Sequence, residues 1–68
     1  PMPDTAPLVT PDQLAESAHW YLQHGEQLYR AAQYAGSAAA RDDDTHKAKR
    51  ALRIAAALET AANIMRGQ

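Results

Sequence analysis

Apolar and small residues between positions 14 and 35 recur at alternating steps of four and three, the spacing of one buried stripe on an α-helix. The series reads Leu14, Ala18, Tyr21, Gly25, Leu28, Ala32 and Ala35. Large residues alternate with small ones, and Ala18, Gly25 and Ala32 fall on every seventh position. Further on, Ala48, Ala51, Ala55, Leu58, Ala62 and Met65 form a similar series, with small residues at 48, 55 and 62. No stretch alternates with the period of a strand. The pattern predicts an all-α chain whose two helices approach closely along small residues, and it gives Gly25 a purpose at mid-length.

Each helix also carries a second series beside the first. Trp20, His24, Gln27, Ala31, Tyr34 and Ala38 border the stripe on helix 1, and Ile54, Ala57, Ala61 and Ile64 border that on helix 2. A helix in an isolated hairpin needs one buried stripe, whereas a helix in a four-helix bundle has two neighbours and needs two. The expectation is an antiparallel two-helix hairpin that self-associates into a dimeric four-helix bundle. A bundle completed by an unrelated helical partner would show the same pattern. Packing is assigned to Leu14, Ala18, Tyr21, Gly25, Leu28, Ala32, Ala55, Leu58, Ala62 and Met65.

The boundaries come from capping chemistry. Residues 1–10, PMPDTAPLVT, hold three prolines and no period, and read as an extended arm whose Leu8 and Val9 lie against the following helix as a staple. In TPDQ, Thr10 caps, Pro11 takes the first helical position, Asp12 meets the positive end of the dipole and Gln13 completes a capping box. Helix 1 should run from about 11 to 36, with an extension to 40 through Ala38, Ala39 and Ala40 as the alternative. DDDT at 42–45 is read as the next start, so helix 2 covers about 43–66 and stops at Gly67. Pro1 ahead of Met2 reads as a cleavage scar, with the natural start at Met2.

Composition reinforces the need for a partner. Sixteen of the 68 residues are Ala, there is no Phe or Cys, and the large aliphatics are six Leu, two Ile and one Val. Alanine favours helix but buries little area, and a chain this short leaves much of its surface in water. Without cysteine, disulfides and thiolate metal sites are excluded. The net charge of −1 argues against a generic polyanion binder. No membrane span and no signal peptide is read from the chain, so a cytoplasmic protein is expected.

Candidate chemistry is sparse. Trp20, His24 and Tyr34 lie on the second series, where amphipathic aromatics anchor protein partners. Glu16 and His19 fit Glu-x-x-His and Glu59 adds a carboxylate, but the helical period turns Glu16 and His19 away from the stripe, so no metal site is expected. HKAKRALR at 46–53 is the one basic cluster. Lys47, Lys49, Arg50 and Arg53 are candidate phosphate contacts, opposed by the preceding aspartates and by pairs such as Asp43–Lys47. Ser17, Ser37 and the threonines sit in no nucleophile motif, and no glycine-rich phosphate loop is present. The expectation is therefore a protein that is not an enzyme and carries no cofactor. It would be a small protein–protein interaction module, an adaptor, inhibitor or regulator, working as a homodimer and using its proline-rich arm beside those three residues. The alternative is a dimeric nucleic-acid-binding regulator that grips phosphates with the stretch 47–53.

Overall fold

A computed structural model describes residues 9–67. The chain folds into two α-helices packed side by side, α1 (Pro11–Gln33) and α2 (Ala38–Met65). They run antiparallel, since Gly25 lies beside Ala48 and Leu52, and Asp12 at the start of α1 bonds to Arg66 at the end of α2. The arm at 1–10 falls outside the described residues except for Val9 and Thr10. Leu8 of the expected staple is likewise outside, and Val9 is exposed.

The start of α1 is fixed by a reciprocal cap. The Gln13 backbone N–H donates to Thr10 Oγ1 at 3.1 Å, and the Thr10 N–H donates to Gln13 Oε1 at 2.9 Å. Two donors that the helix cannot satisfy internally are thereby satisfied. At the far end of α2, Gly67 takes φ +85°, where a residue with a Cβ is disfavoured, and its N–H donates to the Ile64 carbonyl at 3.0 Å.

The turn differs from the sequence expectation. Helix α1 stops at Gln33, short of both 36 and 40, and α2 begins at Ala38, five residues before Asp43. Ser37 is the cap: its extended backbone (φ −147°, ψ 161°) presents Oγ to the Ala40 N–H at 3.1 Å. Serine caps about as well as aspartate, and Ala38, Ala39 and Ala40 behind it carry the highest helix propensity. The earlier signal therefore prevails, and Asp42, Asp43 and Asp44 sit in the second turn rather than at the N-terminus. Gly36 does not adopt a left-handed conformation.

The helices meet through their small residues. Among the described residues the buried ones are Ala18, Gly25 and Ala32 on α1 and Ala48, Ala51, Ala55 and Ala62 on α2. A Cβ placed on Gly25 would lie 2.9 Å from Leu52 Cδ2, 3.0 Å from Leu52 Cγ and 3.2 Å from the Ala48 carbonyl oxygen. Leu52 thus fills the space that the glycine leaves. Among the described residues nothing larger than alanine is fully buried: Leu14, Tyr21, Leu28, Leu52, Ile54 and Leu58 are partly buried, and Met65 is exposed. The two kinds of residue in the alternating series therefore part company. Its small members close the hairpin, while its large members stand at the edge of the helix–helix seam. Among the described residues no helix is long and apolar enough to cross a membrane.

Candidate interaction surfaces

A pair of helices one layer thick has two broad faces, and each carries a shallow groove along the seam. The first groove, about 450 Å³, is floored by Tyr21, Leu28, Ala51 and Ile54 and rimmed by His24, Lys47 and Arg50. The second, about 390 Å³, runs past Ala15, Leu22, Leu52 and Ala56, with His19 and Glu59 at its sides. A third depression of about 400 Å³ near the turn is bounded by Tyr29, Gln33, Arg41 and Thr45. Both faces hold ionisable groups on each helix, His24 with Lys47 and Arg50 on the first and His19 with Glu59 on the second.

Trp20 and His24 are one helical turn apart, and their rings stack at 4.9 Å with planes inclined by 19°. Trp20 also meets Tyr21 edge-on at 5.0 Å. The three rings link the outer side of α1 to the first groove, where Tyr21 and His24 are both found. Trp20 keeps 56% of its surface in solvent and Tyr34 keeps 82%. Tyr34 stands at the turn, beyond the end of α1. Of the three residues expected to hold a partner, the structure joins Trp20 with His24 and leaves Tyr34 apart.

The basic residues divide in the same way. Lys47 and Arg50 rim the first groove, whereas Lys49 and Arg53 do not. Lys47 Nζ is 3.0 Å from Asp43 Oδ2, one turn earlier, the ion pair expected from their spacing. The hydrogen bond that the Lys47 ammonium donates to Asp43, and then the carboxylate's charge, hold it above the ordinary lysine range. Lys49, Arg50 and Arg53 are exposed. One of the four proposed phosphate contacts is thus already engaged by a carboxylate of its own helix.

His19 and Glu59, on different helices, border the second groove, but Glu16 does not join them. Among the described residues no group of three or more His, Asp or Glu side chains is placed to hold a metal ion, and no polar or charged side chain is buried. Two contacts had little signal in the sequence. Leu52 falls one place outside the four-three series, and the need for a large residue opposite Gly25 was the clue to it. The Asp12–Arg66 pair, 3.0 Å apart, is hinted at only by opposite charges at the two free helix ends.

Comparison with known protein families, curated proteins and solved structures finds no match. The functional reading rests on this chain's own residues.

Proposed function

We propose that this chain is a non-enzymatic protein–protein interaction module, an adaptor, inhibitor or regulator, that works as a helical-bundle oligomer, most simply a homodimer. One observation carries the reading. Among the described residues the hairpin fully buries only alanine and glycine, while Trp20, Leu22, Tyr34, Ile64 and Met65 are exposed and Leu14, Tyr21, Leu28, Tyr29, Leu52, Ile54 and Leu58 keep part of their surface in solvent. Burying a methyl group contributes about 0.8 kcal/mol, against about 1.5–3 kcal/mol for a whole leucine or isoleucine side chain. Part of the available hydrophobic stabilisation is thus left to contacts outside the hairpin. A four-helix bundle supplies each helix with a second neighbour. The stacked Trp20–His24 pair, at the edge of the first groove, and the separate Tyr34 are the residues through which a different protein would be held. A cytoplasmic setting belongs to the same reading.

The test is a capture experiment from the native cell, with wild-type protein beside Trp20→Ala and Tyr34→Ala. The expected result is one protein retained by wild type and lost with at least one of the variants, with little dependence on salt. Recovery of nucleic acid alone, falling steeply as salt rises and abolished by Lys49→Glu with Arg50→Glu, would replace this reading with the nucleic-acid regulator.

A further inference from the structure

We infer that α2 has two native starts: the observed one at Ser37, and a shorter form in which Asp42 caps and residues 38–41 leave the helix. The two interconvert while the rest of the hairpin stays closed, which makes the turn end an order–disorder element. The equilibrium is a property of one chain, with or without a partner. Three features of the turn carry it. Among the described residues the side-chain cap on the observed start is one exposed bond, from the Ala40 N–H to Ser37 Oγ at 3.1 Å. Residues 38–43 are all exposed. Asp42, Asp43, Asp44 and Thr45 then supply a second start signal inside the observed helix.

Packing permits the shorter form. Gln33, the last residue of α1, shares the third depression with Arg41 and Thr45. Ala38, Ala39 and Ala40 therefore stand past the end of α1, with no seam to hold them. Among the described residues the first buried position of α2 is Ala48, so unwinding 38–41 opens no core. The Asp43–Lys47 pair lies within the helix in both forms. What changes is the connection, which grows from residues 34–37 to residues 34–41, and the depression, which loses Arg41 from its wall.

The opposing factors are of one size. Serine and aspartate cap about equally well, each by roughly fivefold over alanine. Adding an alanine to an existing helix multiplies its population by at most about 1.6, so Ala38, Ala39 and Ala40 favour the long form by no more than about fourfold. The short form brings Asp43 and Asp44 into the first turn, where each carboxylate is favoured by roughly two- to fivefold against the helix dipole. The long form keeps the excess, as observed, and the short form falls no lower than about a tenth of the molecules.

Amide hydrogen exchange resolved by NMR tests this on the full chain. The amides of residues 41–45 bond to the carbonyls of 37–41 only in the long form, Arg41 to Ser37 at 3.0 Å, whereas those from 46 onward bond in both. Wild type should show one even level of protection across 41–45, about tenfold, and far more at 48–55. Asp42→Glu with Asp43→Glu keeps the charges near the helix start but removes the preferred caps, and should raise protection at 41–45 by about fivefold. Ser37→Ala should lower it to about threefold. In both variants residues 48–55 should stay far better protected. Protection at 41–45 equal to that at 48–55 would mean a single start, and its complete absence would mean that the long form is not held; either overturns the inference. So does protection that climbs gradually from 41 to 45 and ignores the Asp→Glu pair, the signature of ordinary end fraying.

Discussion

Gly25→Ala sets two effects of opposite sign against each other. In an exposed helix interior this change is favourable by about 1 kcal/mol, through helix propensity and a less flexible unfolded chain. Here the added Cβ meets Leu52 Cδ2 at 2.9 Å, Leu52 Cγ at 3.0 Å and the Ala48 carbonyl oxygen at 3.2 Å. Rotation of Leu52 relieves the first contact cheaply. The second and third are relieved only if the Leu52 stem or the backbone of α2 retreats by a few tenths of an ångström. Such retreat along a seam of alanines loosens Ala18, Ala48, Ala51 and Ala55 as well, and overpacking of this kind costs about 1–3 kcal/mol. The net expectation is a loss of about 1 kcal/mol, which for a domain of this size lowers Tm by about 4–8 °C. Urea and thermal denaturation at one fixed protein concentration measure it, with Gly36→Ala as control. Gly36 has nothing within 4 Å and no left-handed backbone, so that variant should be neutral or gain about 0.5 kcal/mol. Leu52→Ala should cost less in the Gly25→Ala background than in wild type, which identifies the contact responsible. A Gly25→Ala protein with a raised Tm would refute the close approach.

Other expectations follow from single contacts. Ser37→Ala removes the cap on Ala40; it should cost about 1 kcal/mol and speed hydrogen exchange at the amides of residues 38–41, as the start of α2 frays toward the aspartates. Asp12→Asn removes the negative charge from the pair with Arg66, in which the carboxylate is almost fully exposed, so the loss should be under about 1 kcal/mol and should shrink at high salt. Asp43 holds the Lys47 ammonium above the ordinary lysine range. That contribution is complete at neutral pH and fades only in alkali, as pH passes the raised folded value. An NMR titration of the Lys47 side chain should show its midpoint falling in Asp43→Asn.

What could be read from the sequence depended on whether one signal stood alone. The start of α1 was legible because Thr10, Pro11 and Gln13 all point to the same boundary, and the capping box is present. The start of α2 was not, because Ser37 and the aspartates at 42–44 both signal a helix start and the alanines between them fit either. Backbone geometry at Ser37 decides that contest, and it is set by how far α1 runs before the chain must reverse. The seven-residue recurrence of small residues located the hairpin seam, since only Ala18, Gly25 and Ala32 allow the partner helix so near. The same series did not show that Tyr21, Leu28 and Leu58 would be less deeply buried than its alanines, because a period locates a stripe and not the depth of each member. Nor did it separate the basic residues: Lys47 joins the first groove while Lys49 and Arg53 do not, a distinction that needs the position of the second helix.

The proposed dimer follows from the apolar helical surface that one hairpin leaves exposed. Sedimentation equilibrium of the wild-type chain from about 1 to 100 µM, a range in which even micromolar self-association is visible, tests this most directly. The predicted result is a reversible approach to twice the 7.4 kDa chain mass, with thermal stability rising as concentration rises. A cooperatively folded particle of 7.4 kDa at every concentration, with an unchanging Tm, would contradict it.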